Sequence, residues 1–413
     1  MSNTATQNTS TEKPLKQSIY VVDDEALLME ALVMTLRCMG KDWEVTGFTD
    51  PAAALEAIKA NPPGAVLTDQ RMPGMQGSEL LEKVRLLSPT SLRLIMSGYV
   101  SLKNLTLITS AHQYIAKPFD LEKLRDLIQR SFAAQQRIIN HGLQNVVTSI
   151  RAIPSLPQAH HSLLKELEDN EGGNEIVANL IGRDPGLSVK VLQLANSGLF
   201  GTGHMVADLL EAVNTLGTEI ITSIVLSQSV FQHYETLKHP EVDLQKVWTH
   251  CWETGVIAQH LCRHMKLSRV QGEAAFLAGL LHEIGRFVLI ENFPKEFQAA
   301  CDLARNTKRT LSDCLCQEMQ ATPSEISGYV LELWSLPSPV INSIYLQEHP
   351  EKSHEQGFTI TTALHVANHL ASKKYPPDSF LCDDWNLAYI ESIGCKDDIP
   401  AWETLDTTEP SED

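Results

Sequence analysis

The feature that most limits the fold is a series of short apolar runs, each stopping on residues that can handle charge. Ser18-Ile19-Tyr20-Val21-Val22 runs into Asp23-Asp24-Glu25, Ala65 to Thr68 ends on Asp69, Leu92 to Met96 ends on Ser97-Gly98, and Gln113 to Ala116 ends on Lys117-Pro118. Glu44 to Phe48 is a weaker run of the same kind. Their length and β-branched content predict strands. Helical spacing fills the gaps: Ala26 to Met39 stops at Gly40, and a second helix opens with Asp50 as cap and Pro51 at its first position. Asn61-Pro62-Pro63-Gly64 is a turn cluster. Strands alternating with helices predict an α/β doubly wound unit, a parallel five-stranded sheet covered on both faces. Sites in such sheets lie at the carboxyl ends of the strands, where Asp23, Asp24, Asp69, Ser97 and Lys117 all fall.

Three acids, a hydroxyl and a lysine at one sheet edge suit phosphoryl chemistry. Asp24 and Asp69 can share Mg²⁺, which prefers carboxylate oxygens and water, with Asp23 holding one of those waters. The metal offsets the charge of an incoming phosphoryl group, and a carboxylate beside it can attack phosphorus. Lys117 suits one phosphate oxygen and Ser97 another. With Val21-Val22-Asp23-Asp24-Glu25, Leu67-Thr68-Asp69-Gln70-Arg71-Met72-Pro73-Gly74, Met96-Ser97-Gly98-Tyr99 and Tyr114-Ile115-Ala116-Lys117-Pro118-Phe119 in this order, residues 18–130 resemble a two-component receiver domain. The resemblance implies a CheY-like, flavodoxin-like fold. It implies phosphorylation of Asp69 by a histidine kinase or small phosphodonor, and Mg²⁺ on Asp24, Asp69 and the backbone carbonyl of Arg71. It also implies a switch in which Ser97 moves to the phosphate and the Tyr114 ring swings inward. The stretch from Ser97 to Lys117 is short for the family, which bears on the fourth helix.

From Asp120 to Ile150 the pattern is helical, and residues 131–150 are expected to form a linker helix. Beyond Pro154 strand signal fades; helical segments are broken at Glu171-Gly172-Gly173, Asp184-Pro185-Gly186, Gly198 to Gly203 and Leu336-Pro337-Ser338-Pro339. This predicts an all-α domain over 151–404, including a C-terminal extension. Within it, His250 followed by the doublet His282-Glu283 on a helix is a metal-site pattern that resembles the HD phosphohydrolases, whose metal activates water against phosphate esters. The match is degenerate: Glu283 stands for an Asp, and Asn368 stands where a further Asp is expected. Ile153-Pro154-Ser155-Leu156-Pro157, Ile181 to Ser188, Leu192 to Phe200, Ala212 to Gly217 and Leu333-Trp334-Ser335-Leu336-Pro337 resemble the HDOD domain, an HD-related output domain of bacterial signalling proteins. That resemblance implies an all-α fold often fused to receivers and usually without catalysis. Pro323 stands nearest the place of a histidine common in that family. The i,i+4 pairs His260/His264 and His365/His369 can share a helix face, but neither has an obvious third ligand, so solvated or structural roles are expected. Asn196, Ser197 and Phe200 read as a helix end and turn, with a partner groove as the alternative.

The 413 residues fit two or three units, and 20 % charged residues with 43 % hydrophobic ones support packed cores. A net charge of -18 disfavours nucleic acid. The eight cysteines form no CxxC pair, and Cys314 and Cys316 read as ordinary thiols. Residues 1–17 lack the apolar core of a signal peptide or anchor. No apolar run reaches the ~20 residues of a spanning helix. The expectation is therefore a cytoplasmic response regulator without contact to membranes. Its receiver switches a non-catalytic HDOD domain that binds an unknown downstream protein or forms a homodimer. Two alternatives stand beside it: a metal-dependent HD-type phosphohydrolase, perhaps a cyclic-dinucleotide phosphodiesterase, and a nucleotide sensor without hydrolysis. Residues 405–413 read as an acidic tail.

Overall fold

The structure is a computed structural model and describes residues 17–40, 42–98, 111–137, 140–150, 162–163, 165–167, 173–197, 204–226, 242–378, 380 and 384–405. The N-terminal tail, the expected fourth helix of the receiver, Tyr99, Phe200 and residues 406–413 lie outside the described residues.

Five strands, β1 (Gln17–Val22), β2 (Trp43–Phe48), β3 (Ala65–Asp69), β4 (Leu92–Ser97) and β5 (Gln113–Ala116), form one parallel sheet in the order β2-β1-β3-β4-β5. Every residue of β3 and β4 is buried, as a parallel sheet with layers on both faces requires. Helices α1 (Ala26–Met39), α2 (Pro51–Ala60) and α3 (Gly77–Leu87) alternate with the strands. Asp50 caps α2 as its sequence suggests, accepting the N–H of Ala52 at 2.9 Å. The register pairs Val22 with Thr68, Asp69 with Met96 and Ser97 with Ala116. The residues that end β1, β3, β4 and β5 therefore share one edge.

The expected single linker helix is instead two helices, α4 (Leu121–Arg137) and α5 (His141–Ser149). Asn140 separates them: its Oδ1 accepts the N–H of Leu143 at 3.1 Å, starting a new helix, while its Nδ2 donates to the carbonyl of Met319 at 3.0 Å. Gly142, a natural candidate for a bend, lies inside α5.

The second half is helical throughout its principal elements. It comprises α6 (Gly173–Gly182), α7 (Pro185–Ala195), α8 (Leu209–Leu216), α9 (Thr218–Leu226), α10 (Leu244–His264) and α11 (Arg269–Leu281). These are followed by α12 (Ile284–Asn292), α13 (Pro294–Thr307), α14 (Leu311–Met319), α15 (Pro323–Leu333), α16 (Ser338–Leu346) and α17 (Ile360–Lys374). Two short helices, α18 (Leu387–Ser392) and α19 (Ile399–Glu403), close the described chain. A continuous apolar cluster runs from the sheet through Ile128 and Phe132 of α4 and Leu143 and Val147 of α5 to Tyr329 of α15. A second cluster joins α10, α11 and α17 to Tyr389, Ile390 and Trp402 of the extension.

The sheet meets the helical half mainly through polar groups that satisfy helix ends. On β4, Arg93 is 1 % exposed, and its Nη2 donates to the carbonyl of Thr148 near the end of α5 at 2.7 Å. The guanidinium thus lies at the negative pole of that helix. The backbone N–H of Arg93 donates to His112 Nδ1 at 3.0 Å, so the ring proton is on Nε2, which donates to the same Thr148 carbonyl at 2.7 Å. Gln193 of α7 donates through Nε2 to the His112 carbonyl at 3.2 Å. Burial, and then the charge of Arg93, push His112 well below its ordinary value, against the opposing bond to Thr148. Its neutral form therefore contributes stability in full above about pH 6.5, and that contribution is lost as pH falls, by up to about 1.4 kcal/mol per pH unit. Urea midpoints measured between pH 7 and pH 5 should fall, and His112→Gln should show the shallower slope of the two proteins.

Candidate functional sites at the sheet edge and in the helical half

At the sheet edge Lys117 stands between two acids. Its Nζ lies 2.9 Å from Asp23 Oδ2 and 2.5 Å from Asp69 Oδ1. Burial pulls the ammonium down, but hydrogen bonds and charge from Asp69 and Asp23 outweigh it, so its pKa is raised. Asp69 Oδ2 accepts the N–H of Arg71 at 2.6 Å, and Asp23 Oδ1 accepts the N–H of Glu25 at 3.0 Å. Both carboxylates are thus oriented by the turn that follows their own strand. Asp23 and Asp69 are buried, while Asp24 lies exposed at the rim. Ser97 ends β4 and is buried. Tyr114, the expected aromatic of the switch, is inward here at 5 % exposure; burial, opposed by the Ala111 backbone and Arg93, raises its phenol well above the usual value. As a donor set, the carboxylates and the Arg71 carbonyl are hard oxygens that fit Mg²⁺. Lys117 now bridges the two buried acids.

The second constellation is also assembled. His282 caps the end of α11 and Glu283 the start of α12, so the doublet sits in the break between two helices rather than within one. The Nε2 atoms of His250 and His282 are 3.3 Å apart, and Asn368 Oδ1 is 3.1 Å from His250 Nε2. His282 Nδ1 faces the Gly279 carbonyl at 2.6 Å and so carries that ring's proton, while His250 faces carbonyl oxygens with both nitrogens, of Tyr375 at Nδ1 at 3.1 Å and of Asn368 at Nε2 at 3.1 Å. Burial, and next the neighbouring His282, push His250 down to about 3; burial likewise lowers His282. The lone pair of His282 Nε2 therefore faces a neutral His250, which donates to it in one tautomer and presents a second lone pair in the other. Two imidazole nitrogens bound tetrahedrally at ~2.1 Å lie about 3.4 Å apart, so the pair fits a divalent ion. The third candidate, Glu283, lies within reach of the pair, its Oε1 3.7 Å from His282 Nε2, and it also pairs with Arg286, whose Nε is 2.6 Å from Oε2 and whose Nη1 pairs with Asp378. A polar cavity of about 100 Å³ adjoins the group, lined by His250, Glu283, Arg286, His365, Asn368 and Asp378 among others.

Arg286 and Asp378 were not among the expected site residues. Arg286 is three residues from Glu283, a spacing that signals an ion pair, whereas Asp378 is 92 residues from Arg286 and has no local signal. The His365/His369 pair is structural in its first member: His365 Nδ1 faces the Gln347 carbonyl at 2.7 Å, and its Nε2 accepts the N–H of Asn386 at 2.9 Å. His369 stacks on Trp385 with 4.7 Å between ring centroids. His264 is exposed and His260 half-buried. Asn196 bonds both backbone groups of Val206, at 2.8 and 2.7 Å, and Ser197 donates to the Leu194 carbonyl at 2.6 Å, as a helix-ending turn would. Pro323 takes the first position of α15. The described cysteines are free, with Cys314 buried and Cys316 exposed. No helix of the described residues is long and apolar enough to cross a membrane.

Residues 19–129 match the family model of the response regulator receiver domain, and residues 153–350 match that of the HDOD domain. The chain therefore carries a receiver domain followed by an HDOD domain. Among curated proteins, an uncharacterized protein of Treponema pallidum is 23 % identical over 231 residues, which cover 54 % of this chain and 43 % of that one. The DNA-binding transcriptional regulator NtrC of Escherichia coli is 30 % identical over 184 residues, 40 % of this chain and 38 % of that one. The chain thus spans less than half the length of these two relatives. Among solved structures, the MmoQ response regulator of Methylococcus capsulatus str. Bath has a TM-score of 0.48 at 20 % identity, covering 62 % of this chain and 98 % of that chain.

The two histidines meet because α10 and α11 touch backbone to backbone. A Cβ on Gly279 would lie 2.5 Å from Gly255 Cα, and one on Gly255 would lie 2.7 Å from the Phe276 carbonyl oxygen. Gly279→Ala must push the helices apart. It should lower stability by about 1–3 kcal/mol, read as a lower urea midpoint, whereas Gly272→Ala on the same helix, whose Cβ would meet nothing nearer than 3.7 Å, should not lower it.

Proposed function

We propose that Asp69 is the phosphoacceptor of this response regulator, and that its phosphorylation by a histidine kinase or small phosphodonor switches a non-catalytic HDOD domain that binds a downstream protein or a second copy. The observation that carries the first half is the Lys117 ammonium held between Asp69 and Asp23 at the carboxyl edge of the sheet. Mg²⁺, held by Asp24, Asp69 and the Arg71 carbonyl with Asp23 beside them, would supply charge neutralisation for the incoming phosphoryl group. An Asp69 carboxylate oxygen attacks phosphorus; the new O–P bond replaces the donor's bond to phosphorus, and the donor leaves with that electron pair. Lys117 then exchanges an Asp69 oxygen for a phosphoryl oxygen, and the Ser97 hydroxyl donates to another.

The non-catalytic reading of the output rests on Glu283, whose charge is shared with Arg286, and on Asn368, a neutral amide. One observation favours a second reading: the Nε2 atoms of His250 and His282 lie 3.3 Å apart with Glu283 Oε1 3.7 Å from His282 Nε2. Under that reading His250 and His282 would hold a divalent ion, which as a Lewis acid would supply activated water for phosphate-ester hydrolysis.

Treatment with acetyl phosphate and Mg²⁺ should add one phosphoryl group by intact mass, absent in Asp69→Ala. Lys117→Met should slow the addition roughly ten- to a hundredfold, the worth of one charge-assisted hydrogen bond. Metal analysis of the purified protein separates the two output readings. Stoichiometric iron, manganese or zinc that disappears in His282→Ala supports the hydrolase, while less than about one-tenth of an ion per chain supports the adaptor.

A further inference from the structure

Helix α15 meets the start of strand β5 with its C-terminal end and the histidine pair with its N-terminal half. Its last four carbonyls need donors from outside its own hydrogen-bond ladder. Trp334, Leu336 and Ser335 supply backbone N–H groups to Val330, Leu331 and Glu332 at 3.2, 3.1 and 3.1 Å. The fourth carbonyl, of Leu333, is taken by the side-chain amide of Gln113, the first residue of β5. Arg130 of α4 adds a cation at the same negative pole: its Nε is 3.9 Å from Glu332 Oε1, and its Nη1 donates to Ser338 at 2.9 Å. Tyr329 Oη lies 3.5 Å from the hydroxyl of Thr148, whose carbonyl holds Arg93 and His112. Strand β5 also carries Tyr114 and leads directly into Lys117.

At its other end α15 is fastened to the histidine pair. Ser327 Oγ accepts the N–H of Gly285 at 2.8 Å and lies 2.8 Å from the His282 carbonyl, which shares the hydroxyl proton with the Pro323 carbonyl at 2.9 Å, so it meets both sides of the His282-Glu283 break. Ser324 donates to Glu348 at 3.0 Å and accepts from Gln347 at 2.7 Å, and both of these partners line the polar cavity.

We propose that α15 is the coupling element between the two sites: a shift of β5 on phosphorylation is delivered through Gln113 to the C-terminal end of α15, and through Ser327 to the His282-Glu283 break. This deepens the reading above and rests on Asp69 being the phosphoacceptor. The Gln113 amide is the specific link, because the remaining α15 end carbonyls are served within the helical half. A rigid helix tied at both ends moves as a unit, so the two sites bias one element in common.

Hydrogen exchange of the full chain with and without beryllofluoride and Mg²⁺ tests this. The wild type should show exchange in α12 and α15 changed by about threefold or more, alongside a response in residues 69–98. Gln113→Met, similar in length but without a donor, should keep the response in 69–98 and bring the change in α12 and α15 below about 1.5-fold; Gln113→Ala should do the same. A wild type that responds in 69–98 but not in α12 and α15 would overturn the coupling while leaving the phosphoacceptor reading intact. So would a Gln113→Met protein whose α12 and α15 respond as in the wild type. Absence of any response in 69–98, together with no phosphoryl addition from acetyl phosphate, would remove the phosphoacceptor reading and the coupling with it.

Discussion

Arg93 and Arg286 are buried and Lys117 is half-buried, and burying a charge without compensation costs far more than any single contact returns. Lys117 is compensated by two carboxylates from two different strands. Arg286 is compensated by Glu283 on its own helix start and by Asp378 from the extension. Arg93 is answered at the carbonyl end of a helix, with His112 beside it. Each arrangement holds together segments far apart in the chain, and each stands at a functionally central place: the sheet edge, the histidine pair and the junction of the two halves. The first is suited to exchange, because a phosphoryl oxygen can take the place of a carboxylate oxygen on the same ammonium. The second leaves Glu283 little freedom to serve another cation.

Much of the sheet was legible because its signals are local. Strand runs end on Asp23, Asp69, Ser97 and Lys117, and a parallel register then gathers those ends without further information. The capping of α2 by Asp50 was readable for the same reason. What was hidden depends on partners distant in sequence. Asn140 reads as one more polar residue in a helical stretch until Met319 is seen to take its amide. Gly255 and Gly279 read as tolerated helix glycines until the backbones of α10 and α11 are found in contact. The burial of Tyr114 follows from packing, not from its own neighbours.

The histidine pair shows how far motif reading extends. His250, His282, Glu283 and Asn368 do converge, so the pattern located the group correctly. It did not reveal that Arg286 pairs with the carboxylate, nor that the Gly279 carbonyl fixes the tautomer of His282. Those two facts pull in opposite directions. One sets a competing cation on a ligand, and the other turns the Nε2 lone pair of His282 toward His250.

The HDOD match ends at residue 350, yet Asn368 and Asp378, which complete the polar cavity, lie beyond it. The stretch with recognisable ancestry and the stretch that closes around a cavity are therefore different lengths. A recombination event that carried only the recognisable part into another gene would deliver an open cleft, with Arg286 missing one of its two acids. The segment from α17 onward is thus part of the cavity wall: without it His250, Glu283 and Arg286 would lose Asn368 and Asp378 as neighbours.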